Sequence, residues 1–303
     1  MTTTEGFVEF RGARTWYRSV GAAATDARLP ILILHGGPGA THQYLAPLES
    51  LARGGRHVIF YDQIGCGRSG GPRDDPDFYD ARLFVDELQA VRDALGLERV
   101  HLLGQSWGGM LAMQYALDDP AGLASIVVAD SPADMRHWVA EANRLRADLP
   151  ADVAATLTAH ETAGTTTDPA YAAAVEVFYR RHVCRLAEWP EPFLRSIDAM
   201  TNDGFVYNVM NGPSEFHVVG KLKDWTIRDR LHEIRVPALL LSGAHDEATP
   251  AIVGEVAERI PNAGWILFEQ SSHTPHLEEP AAFEAAVNGF LAGVEAEMFR
   301  PSR

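Results

Sequence analysis

Cysteine is scarce in this chain. Two residues in 303, Cys66 and Cys184, are too few for a disulfide framework and lack the spacing of metal ligands, so both are expected as reduced thiols. Positive charge is short as well: 26 Lys and Arg stand against 41 Asp and Glu, a formal net charge of −15. That balance argues against a nucleic-acid partner, which needs a basic surface to release counterions, and it suits a neutral or cationic substrate. No run of about 18 apolar residues occurs, which argues against a membrane-spanning helix. The opening MTTTEGFVEF has neither a basic leader nor an apolar core, and the expected compartment is the cytoplasm. Repeats and low-complexity tracts are absent too. What remains is a chain 46% hydrophobic and 22% charged, the composition of a globular protein, long enough for one large domain or two small ones.

Residues 7 to 20 read as two short strands, FVEF and TWYRSV, joined at Arg11-Gly12-Ala13 in an antiparallel hairpin. Apolar runs of strand length then alternate with amphipathic segments, the pattern of a parallel sheet with crossover helices. The runs are Ile31 to Leu34, His57 to Tyr61, Val100 to Leu103 and Ser125 to Ala129. The alternation stops at Ser131-Pro132 and resumes with ALLLSG after Pro237, then with Trp265 to Phe268. In the gap, Met135, Trp138, Val139, Ala142 and Leu145 fall at helical spacing. Asp168-Pro169, followed by Tyr171, Val175 and Phe178, is an N-cap, a first-turn proline and an apolar stripe. The expected organisation is therefore a core of residues 1–131 and 231–303 and a helical cap of residues 132–230, inserted over the carboxyl ends of the strands.

The segment VHLLGQSWGGMLAMQYAL places Gly104-Gln105-Ser106-Trp107-Gly108 directly after a strand and before a helix. In such a nucleophile elbow the serine occupies a strained turn, and glycines two positions to either side let strand and helix approach. This predicts the α/β-hydrolase fold: a mostly parallel central sheet with an inserted helical cap. Serine also needs a base and donors for the oxyanion formed on attack. Trp107 is expected to give one backbone N–H, and Gly37, in the glycine-rich loop His35-Gly36-Gly37-Pro38-Gly39, the other. A phosphate-cradling role for that loop is disfavoured because no Lys-Ser/Thr pair follows it.

In this fold the acid and then the histidine follow the serine, each just past a strand. Asp246, after ALLLSGAH, is favoured as the acid over Asp130, which follows SIVVA and leads into the cap; Asp130 then reads as a cap or hinge residue. His273, preceded by Ser271 and Ser272, is favoured as the base over His276, read as a pocket wall or helix-start contact, and His35 as structural. In the cycle these assignments imply, His273 takes the Ser106 proton and delivers it to the departing amine. Asp246 fixes the imidazole tautomer, and water resolves the acyl-enzyme. The cycle calls for no metal or organic cofactor.

The residues carry a further likeness. His35-Gly36-Gly37-Pro38-Gly39, Asp62-Gln63-Ile64-Gly65-Cys66-Gly67-Arg68-Ser69, the elbow, Asn211-Gly212-Pro213-Ser214-Glu215-Phe216 and Asp246-Glu247-Ala248-Thr249-Pro250 together resemble the proline iminopeptidase family. Within it the chain is most similar to the L-amino-acid amidases, through Thr15 to Arg18, Glu141 to Arg146 and Glu215 to Val218. The resemblance implies that Glu215 and Glu247 grip the α-ammonium of an N-terminal residue, as charge-assisted hydrogen bonds to fixed carboxylates would. From the residues alone, Glu215 reads as a solvated loop acid, whereas Glu247 adjoins the candidate triad acid.

The implied function is a serine aminopeptidase or amidase that releases an N-terminal L-amino acid, proline among them, from short peptides or amides. Its partner would be a small substrate with a free amino terminus. The alternative on the same scaffold is an esterase or carbon–carbon bond hydrolase without free-amine recognition, and N-acetylation of the substrate separates the two. A non-enzymatic binding protein on this fold would show a Ser106 unreactive to a fluorophosphonate. Dehalogenases and epoxide hydrolases of the fold attack with a carboxylate, and the elbow here holds serine.

Overall fold

The computed structural model describes residues 2–21, 28–202 and 204–298. Among them, eight strands form one sheet in the order β1-β2-β4-β3-β5-β6-β7-β8. They are β1 Thr3–Phe10, β2 Ala13–Val20, β3 Ile31–Leu34, β4 Val58–Tyr61, β5 Val100–Gln105, β6 Leu123–Ala129, β7 Ala238–Gly243 and β8 Ala263–Phe268. The helices are α1 Ala81–Ala94, α2 Trp107–Asp118, α3 Met135–Arg146, α4 Ala151–Ala163, α5 Pro169–His182, α6 Glu191–Asn202, α7 Phe205–Met210, α8 Pro250–Arg259, α9 Pro275–Glu278 and α10 Pro280–Met298.

β1 and β2 pair antiparallel, with Phe10 opposite Ala13 across a two-residue turn. Arg11 and Gly12 both take positive φ, 45° and 81°, the backbone that suits the twist of a tight hairpin. The strands are longer than their apolar runs because exposed Thr3, Thr4 and Glu5 continue the ladder opposite Val20, Ser19 and Arg18; pairing, not pattern, extends them. β2 also pairs antiparallel with β4, and every pairing from β4–β3 to β7–β8 is parallel.

Strand alternation divides the core into two layers. Leu32, Leu34, Leu102, Ile126 and Val128 face the side covered by Leu83 and Leu88 of α1, Leu111 of α2 and Ile252 of α8. Ile31, Ile33, Leu103, Val127 and Ala129 face the other side, covered by Leu45 and Leu48 of a 3-10 segment and by Val287 and Leu291 of α10. This is the period of two expected of strands buried on both faces, and each fully buried aliphatic side chain contributes about 2 kcal/mol. Among the described residues, no helix is long and apolar enough to cross a membrane, and neither Cys66 nor Cys184 forms a disulfide.

Helices α3 to α7 lie between β6 and β7. Part of this insertion has its own core, in which Ala142, Leu157, Tyr171, Phe178 and Phe216 pack together. Asp168 caps α5 by accepting the Ala170 N–H at 2.8 Å, ahead of Pro169 in the first turn. One stripe of α3 serves both cores: Met135 and Trp138 pack with the sheet side and Ala142 with the insertion. At the far end of α5, the carbonyl of His182 accepts the N–H groups of both Glu247 and His273 at 3.2 Å, which ties the insertion to the loops after β7 and β8.

Candidate active site

Ser106 stands between the last residue of β5 and the first of α2, at φ 55° and ψ −124°. A non-glycine residue holds such angles only where its surroundings enforce them. Here the enforcement is close packing: a Cβ on Gly104 would lie 2.0 Å from the Gly108 carbonyl oxygen, and one on Gly108 would lie 2.1 Å from that of Leu34. The turn sets Ser106 in the wall of a recess of about 440 Å³, open mouth included, which Gly37, Gln105, Glu215, Glu247 and His273 line as well. Trp107 opens α2, where backbone N–H groups lack intrahelical acceptors. Gly37, at φ 107°, borders the recess with Ser106. A second, smaller recess shares Gly37, Ser106 and Glu215 and adds Trp107, Met135 and Trp138.

His273 and Asp246 come from the loops after β8 and β7. The imidazole Nδ1–H donates to Asp246 Oδ1 at 2.7 Å, and the Ala248 N–H donates to the same oxygen at 2.8 Å. With Nδ1 carrying the proton, Nε2 is left to accept one. His276, the rival histidine, is buried between the rings of Tyr44 and Phe283, and its Nε2–H donates to the Tyr44 carbonyl at 3.2 Å. Burial drives its pKa down to about 3, so it stays neutral as a packing residue.

Asp130, the rival acid, ends up beside the other candidate. It follows β6 at φ 56° and donates its N–H to the Leu241 carbonyl of β7 at 2.8 Å. Burial, reinforced by the adjacent Asp246 carboxylate, pushes its pKa well up.

Glu215 and Glu247 meet across the recess from different parts of the chain. Glu247 is fully buried, its Oε1 lies 3.7 Å from His273 Nε2, and neither oxygen has a hydrogen-bond partner among the described residues. Burial first, and then the charges of Glu215 and Asp246, raise its pKa well above the ordinary carboxylate range. Glu215 Oε1 accepts the Tyr207 hydroxyl at 2.7 Å, while its backbone carbonyl accepts the Trp138 indole N–H at 2.6 Å. Its pKa is raised by burial, against the opposing pull of that hydroxyl and of His273. No Lys or Arg is among the residues lining the recess. With burial favouring their neutral forms, these carboxyls are groups that an incoming cation would draw into the ionised state. Among the described residues, no group of three or more His, Cys, Asp or Glu is arranged to hold a metal ion.

Several residues at the site carried no motif that would single them out. Tyr207 and Trp138 fix Glu215, and Tyr179, Phe193 and Met200 give the recess apolar wall. Behind it, Gln63 spans two loops, accepting the Trp107 indole N–H at 2.8 Å and donating from Nε2 to the His35 carbonyl at 2.8 Å. His35 Nε2 accepts the Gln63 N–H at 2.9 Å, a structural part as expected. Gln63 lies in the segment Asp62 to Ser69 that carries part of the family resemblance, which assigns it no role.

A family model described as the alpha/beta hydrolase fold matches residues 30–280. The proline iminopeptidase of Lactobacillus delbrueckii subsp. lactis is 39% identical over 295 residues, covering 96% of this chain and 99% of that one. Among solved structures, the proline iminopeptidase of Mycobacterium smegmatis superimposes with a TM-score of 0.90 at 46% identity, covering 97% of this chain and all of its own. The crystal structure of VinJ does so at 0.93 and 45%, covering 96% of this chain and 99% of that one.

Proposed function

Because this chain belongs to the proline iminopeptidase family of α/β-hydrolases, we propose that it cleaves an N-terminal L-amino acid, proline among them, from short peptides or amino-acid amides through an acyl-enzyme on Ser106. In this reading His273 Nε2 removes the hydroxyl proton as Ser106 Oγ attacks the carbonyl carbon. The N–H groups of Gly37 and Trp107 receive the oxyanion, and collapse of the tetrahedral adduct expels the amine, which takes the proton from His273. Water then repeats the sequence on the ester. Asp246 holds the tautomer and stabilises the imidazolium without accepting its proton.

The observation that carries the substrate assignment is Glu247, a fully buried carboxyl group with no hydrogen-bond partner among the described residues, 3.7 Å from the Nε2 of the proposed base. A substrate ammonium between Glu247 and Glu215 supplies a countercharge and sets the first peptide bond against Ser106. An esterase without amine recognition would leave Glu247 unexplained. Residues 132–230 act as the cap that closes the recess and admits only chain ends. The cytoplasm is the proposed compartment, in keeping with two cysteines that form no disulfide.

The test is Glu247→Gln, assayed on proline anilide and on a neutral acetate ester. Loss of a charge-assisted contact predicts a fall in kcat/KM on the anilide about 10- to 100-fold greater than on the ester. Equal losses would remove the ammonium-binding claim.

A further inference from the structure

Gln105 has no task in the mechanism above, yet it sits between Gly104 and Ser106, lines the recess and is 2% exposed. Its amide is held at both ends. Oε1 accepts the Tyr44 hydroxyl proton at 2.5 Å, and Nε2 donates to the backbone carbonyl of His273 at 2.8 Å. The Tyr44 oxygen in turn accepts the Gly36 N–H at 2.8 Å. The chain therefore runs from the glycine loop that contains Gly37, through Tyr44 and the elbow, to the loop of His273.

We infer that Tyr44 and Gln105 form a directional hydrogen-bond strut that holds the oxyanion loop, the nucleophile elbow and the base loop in register, which makes both of them positioning residues. The polarity of every link is forced. A backbone N–H can only donate, so the Tyr44 oxygen must accept from Gly36 and pass its own proton to Gln105. The His273 carbonyl can only accept, so Gln105 must turn its nitrogen there. Burial raises the Tyr44 phenol far above its ordinary range, which keeps the proton in place. A second tie runs parallel: the Tyr44 carbonyl accepts from His276 at 3.2 Å, on the helix that follows the base loop. A glutamine is suited to the central place because one side chain offers an acceptor and a donor. Methionine fills similar volume and offers neither.

The inference rests on the assignment of Ser106, His273 and Gly37 to the chemistry, and the experiment separates the two. Wild type, Tyr44→Phe, Gln105→Met and the double variant are compared for kcat and KM on proline anilide, for the rate of Ser106 labelling by a fluorophosphonate, and for Tm. A strut predicts that each single variant loses about 10- to 100-fold in kcat, as expected of ångström-scale misplacement, with KM changed less than about threefold. Labelling should slow in step, and the double variant should be no worse than the poorer single one, because a chain cut once is already cut. Multiplicative losses, an unchanged kcat, or a lower kcat with labelling at the wild-type rate would overturn the strut. A wild-type enzyme that does not label at all would instead overturn the assignment of Ser106.

Discussion

Asp130 and Asp246 close neighbouring strands, and their carboxyls compete for one buried space. Only Asp246 bonds the imidazole of His273, at 2.7 Å, while Asp130 is pushed toward its neutral form by burial and by its neighbour. The account predicts that Asp246→Asn lowers kcat by on the order of 10³- to 10⁴-fold, because an amide can leave the imidazole in the wrong tautomer. Asp130→Asn should stay within about tenfold of wild type, since it replaces a largely neutral acid. Steady-state kinetics on proline anilide for the two variants checks this, and a reversed ranking would transfer the role to Asp130. Much at this scale could be read in advance: Ser106 stood out by its glycine frame, and both acid candidates by their strand-end positions. Tyr44, Gln105 and Tyr207 could not be read, because each matters through a contact such as the 61-residue separation between Tyr44 and Gln105, which no local pattern encodes.

The strands were legible because the two-sided burial of β3, β5, β6 and β7 demands continuous apolar runs, and their ends needed only small changes. Helix α5 was legible through its cap and proline. Polar ties between elements were not, and Glu87 is the clearest case. This fully buried residue of α1 accepts the Thr15 hydroxyl of β2 at 2.5 Å and the Ile64 N–H after β4 at 3.0 Å. Burial raises its pKa to about 8, from 4.5. The folded state thus binds a proton that the unfolded chain has released. The contribution of this group to stability is complete below about pH 4.5 and declines as pH rises toward 8, by up to roughly 1 kcal/mol per pH unit. Glu87→Gln keeps an acceptor for Ile64 and a donor for Thr15 but cannot ionise. Denaturant midpoints should show the variant gaining on wild type between pH 5 and pH 8, and parallel pH profiles would count against the assignment.

Across the whole molecule, the arrangement joins two structures of different origin in the chain. The sheet supplies the serine, acid and histidine loops, and the segment between β6 and β7 supplies Glu215 and much of the wall. The mostly parallel sheet and its helical interruption followed from the alternation of apolar runs and its break at Ser131-Pro132. That the break brings a second carboxylate down to the first, and that α5 fastens to both the Glu247 and His273 backbones through His182, depends on tertiary packing. Two of the chain's acidic groups, Glu215 and Glu247, line this recess, and no Lys or Arg is among its lining residues.

Recognition of a free α-amine at that junction is tested most directly by measuring kcat/KM for proline anilide and for N-acetylproline anilide with the same preparation of wild-type enzyme. The account predicts ready turnover of the first and none detectable of the second, because the acetyl group removes the cation and leaves Glu215 and Glu247 facing a neutral amide. Comparable turnover of both compounds would contradict it.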